Sequence, residues 1–258
     1  MPSFRITTVL AGVLIAAALS ATAQDRPGVT FTAGLGLSSS PDYFGAGSNR
    51  ISPTGAFSVQ QLVLPNGFGI GTTNALPTDP GFGLRGAFRL ISSRKASDNK
   101  ELRGLNDIDP ALELGLGLFS ITQHSRVFGE VRRGFGGHDG WVAEAGVDAI
   151  LRPTPQLVVT VGPRANWGDR DFFNTYFGVT PSEAVRSRYS SFRPDDGLVS
   201  LGIEVGARYD FQNRWALRGT VGWDRLQDDA ARSPITKQGD RDQFSARLIV
   251  TRSFSLGF

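Results

Sequence analysis

The chain has 258 residues, a formal net charge of +3 and no cysteine. Without thiols it holds neither a disulfide framework nor a thiolate metal site. So small a charge, with no run of Lys or Arg, gives no footing for a nucleic-acid partner.

The first segment predicts an export signal. Arg5 supplies the positive start, residues 9–19 the apolar stretch, and Ala21-Thr22-Ala23 an A-x-A site, so cleavage is expected between Ala23 and Gln24. The apolar run is short for a helical span of roughly 20 residues. Removing Arg5 leaves a charge of 3 − 1 = +2. Residues 24–258 then form one mature domain.

From there the sequence alternates with period 2, the mark of strands with one apolar and one polar face. In chain order the apolar sets are Val29/Phe31/Ala33/Leu35/Leu37, Phe82/Leu84/Phe88/Leu90, Leu112/Leu114/Leu116/Leu118, and a weaker Val127/Val131/Phe135 against Glu130 and Arg132. Trp141/Ala143/Ala145/Val147/Ala149/Leu151 and Leu157/Val159/Val161 follow. The clearest is Val199/Leu201/Ile203/Val205/Ala207/Tyr209/Phe211. After a tight turn come Trp215/Leu217/Val221/Trp223, and last Phe244/Ala246/Leu248/Val250/Phe254/Leu256/Phe258, broken only by Arg252.

Units of about ten residues suit tilted strands crossing a bilayer. The polar faces carry full charges, as a wet lumen would, and aromatics cluster near strand ends, as interfacial girdles do. The expected fold is all-β: a single antiparallel transmembrane barrel in outer-membrane lipid. Short turns at 122–126, 152–156 and 211–214 are assigned to the periplasm, and long loops at 92–107, 167–196 and 226–241 to the outside. Seven strands are expected after residue 110. An even total then requires an odd number before it; three short strands within 51–75 would give twelve, and ten is the alternative. Thr180, Pro181 and Glu183 predict one helical turn over 181–187 in the longest loop.

No arrangement singles out catalysis. His124 and His138 fall in turns at opposite ends, so no metal or cofactor site forms from them. A rim hydrolase built from His138 with Asp139, Asp195, Asp196, Asp228 and Asp229 competes with the plainer reading that turns favour Asp. The alternate glycines 34, 36, 115 and 117 lie within strands and form no phosphate loop. The inward charges are Arg85, Arg89, Glu113, Glu144, Asp148, Arg152, Arg164, Glu204, Arg208, Asp210, Arg218, Asp224 and Arg247. They form either a salt-bridged filling or, centred on Arg164, Glu204, Arg208 and Arg218, a narrow pore.

Several segments together resemble the MipA/OmpV family, the MltA-interacting proteins of the outer membrane. They are Pro41-Asp42-Tyr43-Phe44-Gly45, Asp107-Ile108-Asp109, Gly136-Gly137-His138-Asp139-Gly140-Trp141, and Gly162-Pro163 through Trp167-Gly168-Asp169. Most specific is Thr175-Tyr176-Phe177-Gly178-Val179-Thr180; Leu226, Asp229-Ala230-Ala231, Ser233-Pro234-Ile235 and Gln243-Phe244 follow. Residues 51–80 match poorly. The resemblance implies a non-enzymatic scaffold that joins a lytic murein transglycosylase to a bifunctional penicillin-binding protein, or a surface antigen or adhesin. It also implies that terminal Phe258 is a barrel-assembly signal. The aromatic-rich external loop offers Trp167, Asp169, Tyr176, Phe177 and Gly178 as a candidate partner-binding surface, or else as a plug folded into the barrel mouth.

Overall fold

A computed structural model describes residues 27–63, 69–71, 81–211 and 213–257. The signal cleavage site at Ala23/Gln24 and the assembly signal at Phe258 lie outside the described residues.

The strands are β1 (Gly28–Pro41), β2 (Asn49–Val63), β3 (Gly69–Gly71), β4 (Gly81–Ile91), β5 (Ala111–Ile121) and β6 (Ser125–Gly136). They continue with β7 (Trp141–Thr154), β8 (Leu157–Gly168), β9 (Gly197–Asp210), β10 (Trp215–Leu226) and β11 (Asp242–Gly257). One sheet holds them in the order β3-β2-β1-β11-β10-β9-β8-β7-β6-β5-β4. Each strand pairs antiparallel with its chain neighbour from β4 to β11, and β1 closes onto β11 with Val29 opposite Leu256 and Leu37 opposite Leu248. Among the described residues the ring is open only between β3 and β4.

The expectation of three short strands in 51–75 is not met. β2 runs unbroken from Asn49 to Val63, and among the described residues of that stretch only the three-residue β3 follows it. Two features disguise β2 in the sequence. Pro53 reads as a strand breaker. A register shift opposite Thr30/Phe31, where Gln61 and then Val59 are the partners, inserts an extra residue and reverses the alternation. The described residues therefore carry ten long strands.

The alternation sorts the two faces. Leu112, Leu114, Leu116 and Leu118 point outward and are exposed, while Glu113 between them is fully buried in the lumen. The same holds around the sheet: Leu35 is 80% exposed, with Leu84, Leu90, Leu201, Val205, Leu248 and Val250 also bare. A continuous apolar surface of this extent is untenable in water and suited to lipid. Trp141, Trp167, Trp223 and Phe244 ring one end of that band, and Tyr209, Phe211, Trp215 and Phe254 the other. Arg252, the one cation interrupting the outer face of β11, lies 5.3 Å from the Trp215 ring and 5.4 Å from the Phe254 ring. There its stem stays in the band while its charge reaches the interface.

The two barrel ends differ. At one end the strands are joined by tight turns, with Asn213 and Arg214 both at positive φ. At the other, the long loops fold into a cap. It comprises a 3-10 turn (Lys100–Leu102), α1 (Arg170–Phe177), α2 (Pro181–Arg186), α3 (Asp228–Arg232) and α4 (Pro234–Gln238). The helical turn expected at 181–187 is α2; α1, α3 and α4 were not expected.

Candidate functional site: a capped, charged lumen

The cap is held by its own apolar core. Phe172, Phe173, Tyr176 and Phe177 of α1 are buried with Ile108, Val142, Val199, Leu226 and Ala230. Phe44 from the β1–β2 loop packs into them, with ring centroids 5.5 Å from Phe172 and 4.8 Å from Tyr176. A second cluster joins Tyr43, Leu102, Leu105, Val179, Tyr189 and Ile235. So much aromatic area removed from water fixes the cap in place.

Asp169 starts α1. Its carboxylate accepts from Phe172 N–H at 3.0 Å and Trp141 N–H at 2.8 Å, capping the helix and tying it to β7. α2 opens with a full capping box: Thr180 Oγ1 accepts from Glu183 N–H, and Glu183 Oε2 accepts from Thr180 N–H at 2.8 Å. The other Glu183 oxygen accepts from Asn106 N–H at 2.8 Å, linking two loops. Burial acts to raise the Glu183 pKa, but these hydrogen bonds and the nearby Arg94 charge outweigh it and hold the carboxyl below its ordinary range. Arg94 itself is buried and donates to Tyr176 C=O at 3.1 Å, and burial lowers its pKa. Burial, with Glu101 beside it, pushes the Tyr43 phenol up to about 12. Burial and the Glu113 charge likewise raise Tyr176.

His138 sits under the cap, its ring 5.3 Å from Phe172 and 5.4 Å from Tyr176. Its seat needs a glycine at 134, because a methyl there would overlap the imidazole.

Below the cap the lumen is crossed by ion pairs. Arg132 pairs with Glu113 at 2.8 Å, with Glu144 at 3.2 Å, and closely with Glu130. Arg164 bridges Asp148 at 2.8 Å and Glu204 at 2.9 Å, Arg126 meets Asp148 at 2.6 Å, and Arg85 meets Glu130 at 2.6 Å. Arg85, Arg126 and Arg164 also surround the Phe128 ring at 4.7, 5.1 and 5.1 Å. This pairs these inward charges in a medium where an unpaired ion is costly. Between network and cap lies a chamber of about 460 Å³ lined from β1, β2, β4 and β6 to β11.

Of the sequence-predicted residues, Arg164 and Glu204 meet in one ion pair. Arg208 pairs instead with Asp210 at 2.5 Å, lower in the lumen, where Arg218 is its register partner on β10. Tyr176 and Phe177 are buried in the cap, Gly178 ends α1 with its N–H donated to Phe173 C=O at 3.1 Å, and Asp169 is the helix cap. Trp167 stands apart on the outer face. The aspartates considered for a rim hydrolase tie the loops together: Asp229 accepts from Asp195 N–H and pairs with Arg232 at 2.7 Å, Asp228 accepts from Leu198 N–H, and Asp195 pairs with Arg170 at 2.7 Å. Sequence reasoning passed over Phe128 and Arg94. Phe128 shares parity with Glu130 and Arg132, which marks it inward. Arg94, in an irregular loop, carries no such signal.

The segments that carry the family resemblance converge on this cap: Tyr43-Phe44, Ile108, His138, Asp169, Tyr176-Phe177, Ala230, Ile235 and Gln243 all contribute to it. A family model described as MltA-interacting protein MipA matches residues 33–254.

The chain belongs to the MltA-interacting protein MipA family.

The MltA-interacting proteins of Escherichia coli (strain K12) and Shigella flexneri are each 33% identical over 152 residues, covering 57% of this chain and 58% of theirs. The alignment thus spans little more than half the length of these relatives. Among solved structures, the outer membrane channel DcaP of Acinetobacter baumannii aligns with TM-score 0.35 and 8% identity over 89% of this chain and 96% of its own. OprD of Pseudomonas aeruginosa aligns with TM-score 0.32 and 12% identity over 86% and 66%. Strand pairing, a lipid-facing band and a charged lumen make this MipA-family member an outer-membrane β-barrel.

Proposed function

We propose that this chain is a non-conducting, non-enzymatic barrel that anchors murein-processing enzymes at the outer membrane. The observation that carries this reading is the sealed mouth. Phe172, Phe173 and Phe177 are at most 2% exposed in the cap core, which supports a mouth closed to ions. The partner class comes from the family, whose relatives are called MltA-interacting proteins. A lytic murein transglycosylase is the first partner in this reading, and a bifunctional penicillin-binding protein joins through it. Docking falls at the tight-turn end, opposite the cap. There Tyr209 and Phe211 meet edge to face, ring centroids 4.9 Å apart, beside Trp215, giving an aromatic rim of the kind that anchors interfaces.

The test is recovery of partners from cross-linked cells with an affinity tag in the exposed turn at Ser97, remote from the turn end. A murein transglycosylase enriched over an unrelated barrel, and lost on replacing Phe211 by Ser, is the expected result. Absence of any murein enzyme after cross-linking overturns the reading. Single-channel conductance from the intact protein would overturn the sealed barrel separately.

A further inference from the structure

The lumen charges are not all matched. Arg85, Arg126, Arg132, Arg164 and Arg208 each have a carboxylate within 4.0 Å. Arg89 on β4 and Arg247 on β11 line the chamber, and among the described residues neither has an acidic partner within that distance. Arg89 rests on the Phe44 ring at 5.6 Å. Arg50 on β2 lies on the arc between them and is held by Asp42 at 3.3 Å. The arc β11-β1-β2-β4 thus presents guanidinium groups to the chamber.

The arc β5 to β10 presents the opposite sign. There the Arg132 and Arg164 charges are taken up by Glu113, Glu130, Glu144, Asp148 and Glu204. Asp224 remains. It accepts from the Ser200 hydroxyl at 3.0 Å and the Asn166 amide at 3.5 Å, both neutral donors, and has no cation within 4.0 Å among the described residues. In the roof the Tyr176 hydroxyl is buried with no hydrogen-bond partner. A chamber with cations that no carboxylate contacts on one arc, a carboxylate that no cation contacts on the other and an orphan phenol above suits a ligand carrying both charges. At about 460 Å³ it has the size of a small-molecule site, which spans about 300–1,000 Å³.

We propose that the chamber beneath the cap binds a small zwitterion, an amino acid or short peptide, with its carboxylate toward Arg89 and Arg247 and its ammonium toward Asp224. Guanidinium grips a carboxylate through two parallel hydrogen bonds, and an ammonium supplies the charged donor that the Asp224 carboxylate lacks at contact distance. The phenol above adds one donor or acceptor to the peptide backbone. Binding here is independent of docking at the turn end, so either can fail without the other.

The test is calorimetric titration of the folded mature protein in detergent with trialanine, N-acetyl-trialanine and trialanine amide. Trialanine should bind saturably, and each blocked form at least tenfold more weakly. Arg89→Gln with Arg247→Gln should bring trialanine down to the affinity of its amide. Asp224→Asn should bring it down to that of the acetylated form. Arg247→Lys keeps the charge without the two-pronged grip and should weaken binding less than Arg247→Gln does, which separates charge from fold. Each variant is scored only when it shows the heat-modified electrophoretic shift of a folded barrel. No saturable binding of trialanine, equal binding of the three peptides, or variants indistinguishable from the parent would overturn the proposal.

Discussion

Glu113 on β5 and His138 in the turn beyond β6 face each other across 3.3 Å, Oε1 to Nε2, with both side chains shut off from solvent. Gly140 N–H donates to His138 Nδ1 at 3.2 Å, which fixes the ring with Nε2 facing Glu113. The other Glu113 oxygen accepts from Arg132 Nε at 2.8 Å. This one carboxylate therefore joins the lumen network to the underside of the cap. Replacing His138 by Ala should remove that link and open a void beneath Phe172 and Tyr176, weakening the cap by about 2–4 kcal/mol. Limited proteolysis of the loop over 169–196 should speed up while the barrel keeps its heat-modified shift. Gly134→Ala should do the same by displacing the ring; unchanged cleavage in both would remove His138 from the cap's support.

Tyr176 and Phe177 allow the plug and the recognition surface to be told apart. Both are buried in the α1 core. Truncation of a buried aromatic to Ala costs about 3–5 kcal/mol, so Tyr176→Ala and Phe177→Ala should lower the thermal midpoint and admit ion current through the mouth. Loss of cell-surface binding at an unchanged midpoint is the result that would argue for recognition instead.

Glu183 predicts an acid-labile cap. Its folded pKa is depressed, so it stabilises the fold above the ordinary carboxylate range, and that stability is lost as pH falls through and below that range. Tryptophan fluorescence or proteolysis across an acid titration should show the cap loosening, and Glu183→Gln should flatten the response while costing about 1–2 kcal/mol at neutral pH. An identical acid profile in the variant would assign the transition elsewhere.

Tyr43 has the opposite sign. A phenol raised to about 12 stabilises the fold below its unfolded value near 10, and that stability disappears as pH climbs from there toward 12. Ultraviolet titration should show two late-ionising tyrosines, Tyr43 and Tyr176, of which Tyr43→Phe removes one, and the variant should hold its cap to higher pH.

At the turn end, Asn213 and Arg214 take φ of 65° and 64°. An L-residue pays roughly 1–2 kcal/mol for this conformation, and glycine does not. Arg214→Gly should raise the urea midpoint of the barrel in vesicles by an amount equivalent to about 1 kcal/mol. No gain would mean that the Arg214 contact to Ser255 Oγ, at 3.4 Å, offsets the strain.

The strands were legible because a barrel wall between lipid and water imposes strict alternation, and runs such as Leu112 to Leu118 against Glu113 leave no other reading. β2 was not, since Pro53 and the register shift near its end break the pattern locally while neighbouring strands restore the pairing. In the longest loop only α2 announced itself, through the Thr180–Glu183 box. α1 stayed hidden because Phe172, Phe173, Tyr176 and Phe177 cover most of a two-turn helix rather than one stripe, and they become core only when Phe44, Ile108 and Leu226 arrive from distant loops.

Sequence alone determined the barrel, its two faces, the lumen charges and the family resemblance, because period and residue type are local properties that the bilayer reads directly. Tertiary structure decided that the long loop folds into a cap over the lumen, that Phe128 gathers three arginines, and that among the described residues no carboxylate contacts Arg89 or Arg247 and no cation contacts Asp224. Those outcomes depend on which side chains meet across the lumen, and strand order and register fix that geometry, which alternation by itself does not encode.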